Sequence, residues 1–334
     1  MPERVLVTGA TGKQGGATVN ALLAKQGFEV FALTRNPSSS AAVALEKKGA
    51  KVLTGDFSDK ASIEAALRAS KATQVFLVTD FWIAAKCKPE VEVLHGTNVI
   101  DAVKAVNDSI FVVFSSVGDA DKTGPQVQHF CSKAQIEKHL AATLTKWAVV
   151  RPTTFFDNLD DAANFNPLTK GKVKMLIPAH VPMKYVSTVD IGKAAANVLG
   201  KPAAYSGKLL ELATCMHTGD ELAAALSEVS GTPCKYGISL PLPRFMVKLI
   251  APDLLAMMDY WKDREGGYTA SIADGRALVG PTAMDAKAWF AHKGQWASGV
   301  KFGEAEPPSN GFRTGILIAT AVLISVVAYS RRVR

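Results

Sequence analysis

A chain of 334 residues with 48% hydrophobic side chains can bury a large core. That excludes general disorder and leaves room for a nucleotide-sized domain plus a smaller lobe. The formal charge of +8, from 38 basic and 30 acidic residues, is spread along the chain rather than gathered into an arm. No helix-turn-helix, finger or RNP pattern accompanies it, so no nucleic acid partner is expected. Cys87, Cys131, Cys215 and Cys234 have neither paired nor metal-ligand spacing, which points to a reducing compartment and no metal site.

The chain opens Met1-Pro2-Glu3-Arg4, with no charged and apolar leader before the first strand, so no signal peptide is expected. Val5-Leu6-Val7 is a buried strand running into glycines 9, 12 and 15, and Gly15-Gly16-Ala17-Thr18-Val19 opens a helix. A strand, a glycine turn and a helix in this order bring backbone N–H groups and the positive end of a helix up to a pyrophosphate. The second strand, Phe28 to Leu33, ends at Thr34-Arg35-Asn36-Pro37. An acid at this point suits the ribose hydroxyls of NAD, whereas Arg35 suits the 2′-phosphate of NADP, and Lys13 adds positive charge nearby.

The third strand, Ala50 to Thr54, leads to Asp56, placed either to accept from an adenine amino group or to cap the helix Ala61 to Ala69. The fourth, Gln74 to Val78, ends at Thr79-Asp80, and the fifth, Ser109 to Phe114, ends at Ser115-Ser116. Apolar strands alternating with helical segments predict a Rossmann-type, doubly wound parallel sheet with helices on both faces. Ligands are then expected outside the carboxyl ends of the strands.

Far along the chain, Pro241 to Arg276 is apolar and Met-rich, reading as a small lobe's core, as the lining of a cleft or as a partner surface. Residues 303–313 are polar and read as a linker. Residues 314–330 are almost wholly apolar, about 17 residues or roughly 25 Å as a helix, and Arg331-Arg332-Val333-Arg334 follows. This predicts a C-terminal transmembrane tail anchor, with the body facing the cytosol from the mitochondrial outer membrane or the endoplasmic reticulum. The expected organisation is a dinucleotide-binding domain over 1–155, joined by some later segments, then a smaller α/β lobe over 156–302, the linker and the anchor.

Several motifs together resemble the NmrA-like family, a group of atypical short-chain dehydrogenases. They are Thr8 to Gly16, Thr34 to Pro37, Val78-Thr79-Asp80-Phe81-Trp82, His129-Phe130-Cys131-Ser132-Lys133, Arg151 to Asn158 and Val181-Pro182-Met183. The likeness covers about residues 4 to 296, and the apolar tail lies outside the family pattern. It implies NADP(H) contacts from Gly9, Ala10, Thr11, Gly12, Lys13, Gln14, Gly15, Arg35, Asp56, Phe57, Thr79, Asp80 and Phe81. It also implies contacts from Lys133 and from Phe155, Phe156, Asp157 and Asn158, in a segment after a sixth strand, Trp147 to Val150, that wraps the nicotinamide half.

Typical short-chain dehydrogenases carry Tyr-x-x-x-Lys on one helix face, the lysine binding the ribose and lowering the pKa of the tyrosine. Here the spacing survives as His129-x-x-x-Lys133, without the tyrosine. Lys133 can still hold a ribose, and His129 is either a general acid or a packing residue. Ser116 stands where such enzymes keep a substrate-binding serine, or is ordinary turn chemistry. Two functions follow from the resemblance. One is an NADP(H) sensor or regulator with a protein partner or a homodimer and little catalysis. The other is an NADPH-dependent reductase of a small carbonyl or activated double bond that uses Lys133.

Overall fold

The structure is a computed structural model, and it describes residues 2–160, 171–238, 243–264 and 266–293. The chain divides into two units. The first takes in Met1–Thr153, Val186–Thr214 and Thr269–Ala283; the second takes in Thr154–Tyr185, Cys215–Tyr268 and the residues from Met284 onward.

In the first unit, strands and helices alternate along the chain. The strands are β1 (Glu3–Val7), β2 (Phe28–Thr34), β3 (Lys51–Thr54), β4 (Gln74–Val78), β5 (Phe111–Ser115) and β6 (Trp147–Pro152). Between them lie helices α1 (Lys13–Leu23), α2 (Ser40–Lys47), α3 (Lys60–Ser70), α4 (Pro89–Val106) and α5 (Gln128–Thr143). The later segments return with α6 (Thr188–Leu199), strand β7 (Lys208–Leu212) and α7 (Ile272–Val279).

The seven strands form one sheet in the order β7-β6-β5-β4-β1-β2-β3, every pair parallel. Leu6 of β1 lies opposite Phe31 on one side and Val75 on the other. The chain therefore winds outward in both directions from β1 and β4, and the strand order reverses between them. β4 and β5 are buried along their whole length, as strands covered on both faces must be. Leu6, Leu77, Val112 and Phe114 pack with Val99, Val103, Ile136 and Leu140 of α4 and α5.

Close helix packing depends on glycine at two points. A Cβ on Gly96 of α4 would stand 2.7 Å from the Ile136 side chain, and one on Gly192 of α6 would stand 2.5 Å from the backbone of Ala17. Side-chain caps start α2, α3 and α6: Ser39 accepts from the Ala42 N–H, Asp59 from Ala61 and Ser62, and Ser187 from Asp190.

In the second unit, Cys215–His217 pairs antiparallel with Met183–Val186 in a three-stranded sheet that includes Thr154–Phe155. Lys172–Met175 pairs in parallel with Lys235–Ile238. The helix Gly219–Ser230 begins with a capping box between Thr218 and Glu221. Phe156 stacks on Tyr185 at 5.0 Å and on Trp289 at 5.7 Å. Within the Met-rich stretch, Met257 and Trp261 are buried, whereas Phe245, Met246 and Leu249 are exposed.

The tail anchor expected over 314–330, and the membrane location drawn from it, are corrected. No helix among the described residues is long and apolar enough to cross a membrane. The longest, α4, carries Glu90, Glu92, Asp101 and Lys104 and is built to cover a sheet. Residues 314–330 themselves lie outside the described residues. The doubly wound part of the expected fold is observed, and the membrane helix has no counterpart among the described residues.

Candidate functional site at the strand ends

The turn after β1 is shaped by its glycines, each for a separate reason. Gly9 has φ +56°, and a Cβ there would come within 2.8 Å of the Val78 side chain. A Cβ on Gly15 would lie 2.2 Å from the Gly9 carbonyl oxygen, so the start of α1 can sit against the turn only without one. Gly12 is the N-cap of α1, which begins at Lys13, two residues earlier than the sequence pattern suggests. It brings no capping side chain, and the first turn of α1 has no acid. The backbone N–H groups and the positive helix end are thereby presented to an anion at the point where the strand order reverses. Thr8 Oγ1 accepts from the Val78 N–H at 3.1 Å, tying the turn to β4. Gln14 Oε1 accepts from Ser115 Oγ at 2.6 Å, tying it to β5. Ala10 is buried, while Thr11 and Lys13 are exposed.

Arg35 follows β2 directly and is exposed. The Asp56 carboxylate accepts from the Ser58 N–H at 2.8 Å and from the Ser58 hydroxyl at 2.7 Å. Those bonds, with a smaller pull from Arg35, hold it below the usual aspartate range. Asp56 thus shapes the turn before α3 and lies in the field of Arg35. Phe57 is half-buried, its carbonyl accepting from Asn98 at 2.8 Å.

The segment after β4 carries the densest chemistry. Asp80 accepts from the backbone N–H groups of Trp82, Ile83 and Ala84, closing a tight turn. Thr79 donates to Glu92 Oε1 at 2.8 Å, Lys133 Nζ donates to the same oxygen at 2.6 Å, and Ser132 donates to Oε2. Lys133 also reaches Thr79 Oγ1 at 3.1 Å and the Thr79 carbonyl at 3.5 Å. The Glu92 side chain is fully buried and that of Lys133 is 13% exposed. Burial pushes the Glu92 carboxyl up, but the Lys133 charge and the three donors outweigh it and hold it below the usual glutamate range.

His129 is buried one helical turn from Lys133 within an aromatic cluster. Its ring centroid lies 4.8 Å from Phe130, 5.0 Å from Trp82 and 5.7 Å from Phe81. Ser116 is buried at the end of β5, its hydroxyl without a hydrogen-bond partner among the described residues.

The structure brings the expected positions Gly9 to Gly15, Arg35, Asp56, Phe57, Thr79 to Phe81, His129 and Lys133 together in the first unit, at or beside the carboxyl ends of β1, β2, β3 and β4. Phe155, Phe156, Asp157 and Asn158 belong to the second unit. There the Phe156 ring is core, and Asp157 lies 3.5 Å from Lys293 Nζ.

Two features escaped the sequence reading. Glu92 looks like an ordinary acid in the first turn of a helix; its partner is 41 residues away. Arg151, in a motif expected to wrap a ligand, has its buried guanidinium in an ion-pair network. It bonds Glu137 bidentately at 3.0 and 2.5 Å, Asp121 at 2.8 Å and Glu211 at 3.2 Å. Burial and the nearby Asp119 charge push Glu211 up to about 7, against the pull of Arg151.

The fold and these strand-end residues define a doubly wound α/β protein with the strand order of dinucleotide-binding folds. The chain belongs to the NmrA-like family, whose model matches residues 1–272. It is 36% identical over 140 residues to the NmrA-like family domain-containing oxidoreductase notA of Aspergillus sp. (strain MF297-2). That match covers 41% of this chain and 41% of the relative, so it spans less than half the relative's length. Among solved structures, the chain is similar to the NADPH-dependent quinone oxidoreductase QOR2 of Escherichia coli complexed with NADPH. The TM-score is 0.66 at 24% identity, covering 86% of this chain and 99% of that one. It is similar also to NmrA, a negative transcriptional regulator, in complex with NADP. Here the TM-score is 0.70 at 16% identity, covering 87% of this chain and 95% of that one. At these identities the structural likeness is one of fold.

Proposed function

We propose that this protein binds NADP(H) at the carboxyl ends of β1, β2, β3 and β4, and that occupancy of the site regulates a partner or a homodimer with weak or no turnover. The observation that carries the cofactor reading is the glycine turn at the strand-order reversal, with Arg35 at the end of the adjacent strand. The glycines fit the group, because a Cβ at Gly9 or Gly15 would collide with the turn that must cradle the pyrophosphate. In this reading Gly9 to Gly15 hold the pyrophosphate, Arg35 the 2′-phosphate, Asp56 and Phe57 the adenosine, and Thr79 to Phe81 with Lys133 the nicotinamide half. Phe155 to Asn158 are proposed contacts of that same half. A bound nicotinamide would supply hydride chemistry.

Two features of this chain favour regulation over catalysis. Lys133 already spends its three donors on Glu92 and Thr79. His129, in place of the tyrosine, is enclosed by Phe81, Trp82 and Phe130. The solved NmrA regulator in complex with NADP is a precedent for binding of this kind within the fold.

The second reading is an NADPH-dependent reductase. It is favoured by the place of the Lys133 ammonium, beside Thr79 at the end of β4, and by the oxidoreductase names of relatives. The test is NADPH oxidation by the purified chain against a panel of carbonyls and activated double bonds. Tight NADPH binding without turnover is expected. Robust turnover that is lost in Lys133→Ala would overturn the regulatory reading in favour of the reductase.

A further inference from the structure

His95 lies on α4, one turn after Glu92. The residue is 7% exposed, and its Nδ1 is buried with no hydrogen-bond partner among the described residues. The Phe57 ring stands 5.9 Å away at 44°. The charges that act on the imidazole come from Asp56 after β3, Arg35 after β2, Asp80 after β4, and Glu92. Three of those four follow the carboxyl ends of β2, β3 and β4. Burial, the largest effect, pulls the imidazole below its ordinary value despite the nearby carboxylates, so it is neutral at pH 7.

A neutral imidazole has one N–H and one lone pair. A bare buried N–H costs more than a bare acceptor, so the enclosed Nδ1 carries the lone pair and the proton sits on Nε2. We propose that His95 is a further residue of the nucleotide site, donating from Nε2 to an acceptor on the adenosine half of the ligand; this rests on the NADP(H) reading above. His95 and Glu92 then place the two halves of the site on one helix, the adenosine half at His95 and the nicotinamide half through Lys133.

The test uses the full chain and two fragments, 2′,5′-ADP and reduced nicotinamide mononucleotide, titrated by calorimetry. Glutamine places an amide donor near the Nε2 position, and asparagine places one only near Nδ1. His95→Gln is expected to bind 2′,5′-ADP within about twofold of the parent, and His95→Asn about tenfold more weakly, the size of one net hydrogen bond. The mononucleotide should bind both variants as it binds the parent. Unchanged 2′,5′-ADP binding in both variants, or an equal loss in both, would overturn the role of His95 while leaving the NADP(H) reading in place. Failure of the parent to bind either 2′,5′-ADP or NADPH would overturn that reading and this one with it. Independently of variant stability, the His95 Nε2 resonance of the parent, assigned by its loss in either variant, should shift with 2′,5′-ADP and stay put with the mononucleotide. A resonance unmoved by bound 2′,5′-ADP would overturn the proposal.

Discussion

Replacing Glu92 with glutamine keeps the shape of the side chain and removes its charge. The carboxylate is fully buried and receives Thr79, Ser132 and Lys133. Breaking a buried pair by removing one partner costs about 3–5 kcal/mol, because the other charge is left uncompensated. Lys133 keeps 13% exposure and can lean toward water, so Glu92→Gln belongs at the low end, about 3 kcal/mol. Urea unfolding at pH 7 reads this directly, and Glu92→Met with Lys133→Met should recover most of the loss, since an apolar pair of similar volume replaces a buried ion pair at little cost. The pH dependence has a definite sign. The Glu92 carboxyl is held below its ordinary value, so its contribution is complete above the usual glutamate range and is lost as pH falls through the lower folded value. The gap between parent and Glu92→Gln should therefore narrow in acid. A gap under about 0.5 kcal/mol at pH 7, within the range of neutral surface changes, would refute the buried-pair reasoning. So would a gap that is constant from neutral to acidic pH.

Two further outcomes follow from the geometry. Gly15→Ala puts a Cβ 2.2 Å from the Gly9 carbonyl oxygen, so the turn and α1 must separate; NADPH binding measured by fluorescence should fall at least tenfold, and parent-like affinity would contradict the packing argument. Glu211, pushed up to about 7, stays protonated in the folded chain where the unfolded chain is ionised, so it lowers stability as pH rises from about 4.5 to 7. Glu211→Gln removes that penalty, about 3 kcal/mol at most, and should gain on the parent in melting temperature at pH 8 relative to pH 4; a pH-independent difference would refute the assignment.

The central strands are legible because Val5-Leu6-Val7, Gln74 to Val78 and Phe111 to Phe114 are short runs in which almost every side chain is apolar, as a sheet covered on both faces demands. The edge strand β7 escapes, because Lys208 and Leu209 are exposed and only Leu212 is fully buried, so no run or alternation marks it. The glycine turn is legible because its physics is local. The Lys133–Glu92 pair and the Arg151 network are not, since a charge that will be buried looks in sequence like one that faces water. The apolar stretch 314–330 is legible only as hydropathy: it lies outside the described residues, among which no helix is long and apolar enough to cross a membrane.

We propose that the strand ends bind NADP(H) through the glycine turn and Arg35. The most direct test is a calorimetric titration of the full chain with NADPH and with NADH, repeated on Arg35→Asp. NADPH should bind the parent at least tenfold more tightly than NADH, and Arg35→Asp should reverse the preference. Equal affinities in the parent, or no binding of either nucleotide, would contradict the proposal.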